Sequence, residues 1–350
     1  MSIITRAKIF GSILRARLTG RISPLVLHIN VTNACNLKCA YCYGMYTERE
    51  NRDLTAPELI SLIDEAHSLG TRIVNFGAGE PLMRNDIEEV IDHARAKGIE
   101  CRMNTNGHLV PQRLSAVKKL SSLCISIDGD EEAHDQRKGK GSFQKVLSAI
   151  KIAKTNNIAV HTTTMLSRDN VHTIDFIIKL AKKMGFFVEF LLPFFQSPDG
   201  FAASESSYRE GLRKIISYKK KGYPVFFSLK AHQYALNWPN YKQKSIWNKV
   251  PKEFGKHINC FAGRYMCVVD SDGMVYPCAQ MIGGHSALNY LEYGFKRCWE
   301  HIRDHNCKTC YALISFNDYN LLFRLDPAVV FNHVKNVLCE SLWQGKRIKK

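Results

Sequence analysis

The sequence predicts an α/β protein whose parallel β/α units form a full or partial barrel, followed by a small cysteine-rich unit. Between Pro24 and Pro193, short apolar segments alternate with longer amphipathic ones. Six successive strand–helix units favour a parallel sheet, and right-handed crossovers curl such units into a barrel. Cysteines are concentrated after the first apolar segment and again beyond residue 259, which indicates two cysteine-based sites.

The apolar segments are predicted to be strands, at residues 25–30, 72–76, 100–104, 123–127, 159–165 and 187–192. The amphipathic segments between them predict helices, including 56–69, 86–96, 143–156 and 171–184. In the first of these helices Leu59, Ile63 and Ala66 recur at helical spacing, and Thr55 and Asp53 offer N-cap oxygens. Polar or ligand-type residues follow nearly every strand. Because active sites of β/α barrels lie at the carboxyl ends of the strands, we expect the site there.

Changes of sequence texture divide the chain into five predicted segments. These are a basic amphipathic N-terminal helix (1–23), a barrel core (24–193), a connecting or capping segment (194–259), an auxiliary cysteine-rich domain (260–316) and an amphipathic C-terminal helix with a basic tail (317–350). The connecting segment shows no strand–helix rhythm. Its aromatic residues Tyr234, Trp238 and Tyr241 are expected in the core rather than in a substrate pocket.

Composition and charge limit the cellular location. The chain is 45% hydrophobic and 23% charged, as is usual for a globular protein. No run of about 18 apolar residues suggests a membrane span, and charges interrupt the apolar N-terminal residues, unlike a secretory signal. We therefore expect a cytoplasmic protein. The net charge of +17 favours anionic partners, such as nucleic acid, an acidic membrane surface or a phosphorylated substrate.

Both ends of the chain carry apolar stripes beside basic residues. The stripes consist of Ile3, Ala7, Phe10, Leu14 and Leu18 at the N-terminus, and of Val330, Val334, Val337 and Leu338 at the C-terminus. Basic amphipathic helices are typical of peripheral attachment, here to the inner face of the membrane, whereas packing on the barrel is the slightly favoured alternative for each helix alone. Nucleic acid is disfavoured as a partner because no recognised nucleic-acid module is visible.

The first cysteine cluster directly follows the first strand. Cys35, Cys39 and Cys42 place three thiols on one tight loop. Three ligands suit a four-iron, four-sulfur (4Fe–4S) cluster with one open iron, because most such clusters take four cysteines. An open coordination position is typical of a catalytic metal. Zinc is the alternative, although zinc loops usually present paired ligands from two knuckles.

This loop, with Tyr41 before the third cysteine, resembles the motif of the radical S-adenosylmethionine (radical SAM) enzymes. Residues 76–82 resemble the Gly-Gly-Glu-Pro element of that family, with Ala78 in place of the first glycine. The resemblance covers about half of the chain and implies a partial (β/α)6 TIM-like barrel, with a 4Fe–4S cluster and SAM as cofactors. It further implies reductive cleavage of SAM to a 5′-deoxyadenosyl radical, which abstracts hydrogen from an unactivated C–H bond.

The resemblance also implies SAM-binding residues at successive strand ends. In chain order they are Tyr41, Gly79, Glu80, Pro81, Asn104, Ser126, Asp128, Arg137, Asn170 and Leu192. Glu80 suits the methionine ammonium, Ser126 and Asp128 the ribose hydroxyls, and Arg137 the methionine carboxylate. Leu192 lies where the family packs the adenine. For Asp128 and Asn170, a turn-capping role is the alternative.

The second cysteine cluster lies near a predicted hairpin of Met266–Val269 and Met274–Tyr276. It resembles the auxiliary-cluster unit called the SPASM domain, in its short twitch form. We expect one auxiliary 4Fe–4S cluster on Cys260, Cys278, Cys307 and Cys310, and structural zinc is the rival. Cys267 and Cys298 are possible substitutes, and Cys339 is expected to pack in a helix.

The sequence thus predicts an enzyme that oxidises or rearranges a small or lipid-linked metabolite, with an electron donor such as flavodoxin or ferredoxin. A peptide-modifying maturase is one alternative, disfavoured because about two dozen residues precede the first strand. The other is a non-catalytic scaffold on membrane or RNA, stabilised by zinc or a cluster. His161 is expected to be a hydrogen-bonded barrel residue rather than a general base.

Overall fold

The computed structural model describes residues 3–20, 22–39, 41–42, 44–193 and 200–345. The helices are α1 Ile3–Thr19, α2 Ala56–Leu69, α3 Ile87–Ala96, α4 Leu114–Lys118, α5 Glu131–Lys138, α6 Ser142–Thr155, α7 Ile174–Met184, α8 Glu205–Lys220, α9 Leu229–Leu236, α10 Tyr290–His301, α11 Ile314–Phe323 and α12 Pro327–Gly345. The strands are β1 Val26–Thr32, β2 Ile73–Ala78, β3 Glu100–Thr105, β4 Ser122–Ser126, β5 Ala159–Met165, β6 Phe187–Leu191, β7 Ser245–Trp247, β8 Met266–Val269, β9 Met274–Tyr276, β10 Leu288–Asn289 and β11 Cys307–Cys310.

The chain forms two compact units. The first consists of Met1–Lys38, Gly44–Cys124 and Phe261–His305, and the second of Cys39–Tyr43, Ile125–Cys260 and Asn306–Lys350. The six predicted strands of the β/α region are all present, as β1 to β6. The predicted hairpin is present as β8 and β9, with identical bounds. The basic tail from Lys346 to Lys350 lies outside the described residues.

The sheet of the first unit explains how the cysteine loop is supported. β1 lies between β2 and β8 and pairs with both in parallel, and β2 pairs in parallel with β3. β8 continues into the antiparallel strands β9 and β10. Six of the seven residues of β1 are buried, as expected of a strand covered on both faces. The predicted auxiliary hairpin is therefore part of the same sheet as the first strand, and the domain boundary at residue 260 stays a prediction.

The first crossover helix confirms its predicted N-cap. The Thr55 hydroxyl accepts a hydrogen bond from the backbone N–H of Glu58, whose carboxylate in turn accepts one from the backbone N–H of Thr55 at 2.7 Å. This reciprocal capping box pairs two backbone N–H groups at the start of the helix that have no carbonyl partner within the helix. Gly70, at φ 113°, ends the helix in a left-handed conformation.

The second unit contains the parallel pair β5–β6 and the antiparallel pair β7–β11. The connecting segment, whose sequence shows no strand–helix rhythm, contains α8 and α9. Ser204 is the N-cap of α8, and its side chain accepts a hydrogen bond from the backbone N–H of Ser207 at 3.1 Å. Trp238 and Tyr241 are buried, and the Trp238 indole donates to the carbonyl oxygens of Asn240 and Gln243, as expected of core residues.

The N-terminal helix turns a different face inward from the one predicted. Ile13 and Ala16 are buried, whereas Leu14 is half-buried and Leu18 is 78% exposed. Positions three apart share one face of a helix, so the face of Ile13 and Ala16 excludes Leu18. The side chains of Ile3, Ala7 and Phe10 lie outside the described residues. No helix in the described part of the chain is long and apolar enough to cross a membrane.

Candidate cluster and cofactor site

In the first unit, a buried carboxylate lies at the carboxyl end of β2. Oε1 of Glu80 accepts hydrogen bonds from the Leu82 backbone N–H (3.1 Å) and the Thr105 hydroxyl (2.8 Å), and Oε2 accepts one from the Asn106 backbone N–H (2.8 Å). The backbone N–H of Glu80 donates to the carbonyl oxygen of Ala34 at 2.8 Å. This last bond joins the Glu80 turn to the residue that precedes the first cysteine of the loop.

The two residues before Glu80, Ala78 and Gly79, have unusual backbone requirements at this contact with the cysteine loop. A Cβ added to Gly79 would lie 2.4 Å from the carbonyl oxygen of Ala34 and 2.9 Å from that of Asn33, so only glycine fits. Ala78 adopts φ 106°, a conformation that residues with a side chain rarely take. Ala78, which stands in place of the first glycine of the family's element, is therefore a point of backbone strain. The sequence alone does not reveal this strain.

Asp53 anchors the start of the cysteine loop. Its Oδ2 accepts a hydrogen bond from the Thr32 hydroxyl (2.5 Å), and its Oδ1 accepts one from the backbone N–H of Asn33 (2.8 Å). The Thr32 hydroxyl also accepts one from the backbone N–H of Ala34 (3.0 Å). The sequence offered Asp53 only as an N-cap candidate, and Thr55 takes that role.

Part of the third-strand motif reaches the loop as well. Nδ2 of Asn106 donates to Oδ1 of Asn36 at 2.7 Å, one residue after Cys35. Asn104, the residue named from the sequence, is the penultimate residue of β3 and is exposed. Asn106 lies two residues after Asn104 in the same Asn-Thr-Asn-Gly motif. That motif is the sequence signal from which Asn106 could have been predicted.

In the second unit, the other end of the loop is held by Tyr41. Its hydroxyl donates a short hydrogen bond to Oδ2 of Asp128, and Nζ of Lys138 lies 3.5 Å from the same oxygen. The Lys138 and Asp128 side chains are only 4% and 2% exposed. Burial, followed by the Asp128 charge, raises the pKa of Tyr41. Asp128 is thus engaged by two side chains of its own unit, which favours a positioning role over the predicted contact with ribose.

An aromatic pair and a guanidinium form the adjoining surface. The rings of Tyr41 and Phe201 stack with centroids 5.3 Å apart. The Arg137 guanidinium lies 5.5 Å from the Tyr41 centroid and 5.2 Å from that of Phe201. One arm of the guanidinium bonds the Ser167 hydroxyl, whereas NH1 is buried and has no hydrogen-bond partner among the described residues. A buried donor without a partner is costly, so this group suits an anionic ligand such as a carboxylate.

The other predicted cofactor residues differ in how their side chains are used. Asn170 donates from Nδ2 to the carbonyl oxygens of Asp128 (2.7 Å) and Met165 (2.9 Å) and accepts from the Ser167 backbone N–H (2.8 Å). These bonds complete a turn, which favours the capping alternative. Leu192 is buried just after β6, and Ser126 is half-buried at the end of β4. Pro81 begins the turn after Glu80.

Three of the four cysteines predicted for the auxiliary site belong to the second unit. The Cys260 backbone N–H donates to the carbonyl oxygen of Lys308 at 2.8 Å, which places Cys260 beside the strand of Cys307 and Cys310. Burial, followed by the charge of Cys260, raises the pKa of Cys310 to about 12. Cys278 belongs to the first unit and lies buried just after β9.

The remaining cysteines have the surroundings of core residues. Burial raises the pKa of Cys267, inside β8, and that of Cys298, on α10, the latter to about 11. Burial has the same effect on the predicted ligand Cys310, so the choice of the four cysteines over these two substitutes stays a prediction. Cys339 lies half-buried on α12, as expected of a helix residue.

No group of three His, Cys, Asp or Glu side chains among the described residues converges as the ligands of a single metal ion do. The ligands of a 4Fe–4S cluster bind separate irons and therefore surround a larger volume than the ligands of one ion. The donor chemistry of the loop, three thiols within eight residues of the chain, fits such a cluster.

Comparison with known proteins decides the family. Residues 29–181 match the Radical SAM superfamily. An AdoMet-dependent heme synthase of Nitratidesulfovibrio vulgaris is 30% identical over 271 residues, which cover 72% of this chain and 72% of that protein. The chain belongs to the radical SAM superfamily. Membership implies a 4Fe–4S cluster and SAM as cofactors and confirms the family that the cysteine loop predicted.

Further relatives include enzymes that are named as maturases. Mycofactocin maturase MftC of Mycolicibacterium smegmatis is 27% identical over 289 residues, which cover 81% of this chain and 71% of that protein. Two solved structures share the fold: Streptococcus suis SuiB bound to the precursor peptide SuiA (TM-score 0.61, 17% identity, 83% of this chain and 67% of that one) and anSMEcpe with AdoMet and a peptide (TM-score 0.60, 17% identity, 89% and 100%). The predicted partial-barrel fold class of this radical SAM protein is confirmed.

Proposed function

We propose that this radical SAM enzyme abstracts hydrogen from an unactivated C–H bond of a small or lipid-linked metabolite, and so oxidises or rearranges it. The 4Fe–4S cluster and SAM, when bound, would supply the 5′-deoxyadenosyl radical for that step. Cys35, Cys39 and Cys42 are the proposed cluster ligands. The observation that carries the proposal is the hydrogen bond from the Glu80 N–H to the carbonyl oxygen of Ala34, which ties the family's Glu-Pro turn to the cysteine loop.

The chain's own residues would bind and orient SAM. Arg137 offers a buried donor to the methionine carboxylate, and the Glu80 carboxylate suits the ammonium group. The stacked rings of Tyr41 and Phe201 supply an apolar surface beside Arg137 that helps to exclude water. In this proposal Asp128 acts through Tyr41 rather than by touching the cofactor.

We further propose a second 4Fe–4S cluster on Cys260, Cys278, Cys307 and Cys310. The position of Cys260 beside the strand of Cys307 and Cys310 supports this assignment. With four cysteine ligands no iron is left open, so this group suits electron transfer rather than substrate binding. Acceptance of an electron from the substrate would make the overall reaction an oxidation.

Two features support a small-molecule substrate. The relative with 30% identity is named for the synthesis of heme, a small molecule, and the net charge of +17 favours an anionic metabolite or lipid headgroup. The same charge favours an acidic electron donor such as flavodoxin or ferredoxin. The proposed location is cytoplasmic, at the inner face of the membrane.

Peptide maturation is the second candidate. It is supported by the mycofactocin maturase relatives and by the fold shared with SuiB, which was solved with a bound precursor peptide. Incubation of the reduced enzyme with candidate metabolites and, separately, with peptides would discriminate between the two. Deoxyadenosine formation is expected to rise above its substrate-free rate only with the true substrate class.

The first experiment is anaerobic reconstitution followed by analysis of iron and sulfide. We expect about eight irons per chain, falling to about four in a Cys35→Ala/Cys39→Ala/Cys42→Ala variant. With dithionite and SAM the wild type should form 5′-deoxyadenosine and the triple variant should not. Cys124→Ala, which removes a β4 thiol, is the matched control and should keep both iron and cleavage. Zinc in place of iron, with no cleavage of SAM, would support the scaffold alternative and contradict the proposal.

A further inference from the structure

The last helix, α12, turns polar side chains toward the protein. Nδ2 of Asn332 and Nδ2 of Asn336 both donate to the carbonyl oxygen of Phe226, at 3.1 and 2.8 Å. One turn further on, Oε1 of Glu340 lies 2.7 Å from Nε2 of His161 on β5. Asn336 and Glu340 are 5% and 9% exposed. The helix is therefore attached through hydrogen bonds at several successive turns, which fixes its rotation about its own axis.

The opposite face of α12 is apolar and faces solvent. Phe331 is 70% exposed, Val334 51% and Leu338 60%, and together they form what we call the apolar stripe. Steps of three and four residues place them in one row along the helix. Single exposed apolar side chains are common, but a row of three on a helix whose polar side is buried reverses the usual arrangement and indicates an interaction surface.

A positively charged side chain lies beside the apolar stripe. Lys335 is exposed between Val334 and Leu338. Glu340, the single acidic residue from position 327 to position 350, is turned inward toward His161. The sequence then continues with Lys346, Arg347, Lys349 and Lys350.

We propose that α12 is a docking surface for an anionic lipid bilayer, with the apolar stripe entering the headgroup region and the Lys335 side chain contacting acidic headgroups. Helices that lie in the interface combine an apolar face with flanking Lys and Arg in this way. Each basic residue near an acidic surface adds to the attraction. This surface goes beyond the catalytic proposal and does not depend on it, although it would bring the enzyme to a lipid-linked substrate.

A second copy of the chain suits this face less well. A stable protein–protein interface buries about 800 Å² on each partner, more than a single row of three side chains offers. Two copies would also bring together surfaces of a protein with a net charge of +17, which repel each other. Acidic lipid satisfies both the apolar and the charged part of the surface.

The test is flotation of the full-length protein with phosphatidylcholine vesicles that contain phosphatidylglycerol, at low salt. The wild type should float, and Phe331→Ser/Val334→Ser/Leu338→Ser should lower the bound-to-free ratio at least about tenfold. Lys335→Glu should weaken binding to anionic vesicles. Leu291→Ser changes a 42%-exposed leucine on α10 and should bind as the wild type does. Thermal melting of each variant checks that it is folded.

Several results would overturn the proposal. One is failure of the wild type to float. Another is flotation that survives in the folded triple variant, or that is lost on Leu18→Ser instead, which would assign the surface to α1. A third is a concentration-dependent dimer that the triple substitution abolishes while vesicles bind neither protein, since this would assign the apolar stripe to a second copy of the chain.

Discussion

The hydroxyl of Tyr41 donates a hydrogen bond to the carboxylate of Asp128, and Lys138 lies against the same oxygen. Tyr41 immediately precedes the third cysteine of the loop, whereas Asp128 is 87 positions further along the chain, just after β4. A buried bond of this kind fixes a side chain that would otherwise be free to rotate. It connects the position of the cysteine loop to the strand ends of the second unit.

Tyr41→Phe removes this bond and keeps the aromatic ring on Phe201. We expect iron content to be retained and the rate of SAM cleavage to fall about tenfold, because a lost buried hydrogen bond costs about 1–3 kcal/mol. The measurement is 5′-deoxyadenosine formation at equal iron content. Tyr218→Phe removes a comparable tyrosine–aspartate bond to Asp175 on α7 and should leave the rate unchanged. Equal rates in wild type and Tyr41→Phe would contradict the positioning role.

Gly79→Ala should prevent the cysteine loop from reaching its position. The added methyl group would overlap the carbonyl oxygen of Ala34, so the loop must move. We expect reconstituted iron to fall from about eight to about four per chain. Gly77→Ala is the matched control two residues away, because the nearest atom to its Cβ would be 3.8 Å distant. Full iron content in Gly79→Ala would show that the close approach is not needed for cluster assembly.

Ala78→Gly should stabilise the protein. The φ of 106° at Ala78 is strained for any residue with a Cβ, by about 1–3 kcal/mol, and glycine removes that strain. Glycine also increases the entropy of the unfolded chain, which offsets part of the gain in stability. We expect a net rise of about 1 kcal/mol in the free energy of unfolding, measured by urea denaturation. Ala94→Gly, inside α3, should lower it by about 1 kcal/mol. The prediction is wrong if both substitutions destabilise equally.

Arg137→Lys should weaken SAM binding without loss of iron. Lysine keeps the positive charge but lacks the planar guanidinium group. The buried N–H donor of Arg137 beside Tyr41 and Phe201 is therefore lost. We expect KM for SAM to rise about tenfold to a hundredfold, as for loss of a hydrogen bond to a charged group. Arg168→Lys is the control, because the Arg168 side chain is 68% exposed, and it should leave the KM for SAM unchanged. An unchanged KM would remove Arg137 from the proposed binding residues.

His232 should make stability depend on pH. Burial lowers its pKa from 6.5 to about 4, and Nε2 has no partner among the described residues. The unfolded state therefore binds more protons between about pH 6.5 and 4, and stability falls as the pH falls through that window. From pH 7 to about 5 we expect the contribution lost to be about 2 kcal/mol.

Urea denaturation at several pH values measures this effect. His232→Asn keeps a donor near the carbonyl oxygen of Ser228 and should flatten the profile, whereas His172→Asn, at an exposed position, should not. His28 has a pKa lowered to about 4 by burial and by Arg102, so part of the slope should remain in the His232 variant. A profile that His232→Asn leaves unchanged would contradict the assignment.

The sequence was sufficient for β1 to β6 and for the hairpin of β8 and β9, because these strands follow largely apolar segments, but it did not predict the short strands β7, β10 and β11. It was also sufficient for the cysteine loop and for the Thr55 cap, because both depend on neighbours in the chain. It missed α8, in which the buried Tyr208, Leu212 and Ile215 are separated by charged residues. A lysine-rich helix with one buried face has a low average hydrophobicity, so its helical periodicity does not stand out in the sequence.

The roles of Asp53 and Asp128 could not be read from the sequence. Each carboxylate binds residues about 20 or more positions away, and no local pattern specifies such partners. The resemblance implied that Asp128 contacts ribose, with turn capping as the alternative, and in the structure its carboxylate accepts a hydrogen bond from Tyr41 and lies beside Lys138. The exposed face of α12 was likewise hidden, because the sequence shows an apolar stripe but not which side of the helix meets the protein.

The pairing of β1 with β8 has a consequence for the order in which the protein matures. Nδ2 of Asn30 on β1 donates to Oδ1 of Asp270 at 2.8 Å, across 240 positions of the chain. During synthesis on the ribosome, the strand that leads into the cysteine loop emerges early but lacks this neighbour until more than three quarters of the polypeptide has been made. The loop thus acquires its full support late, and iron delivered to the nascent chain would meet thiols that are not yet held in place.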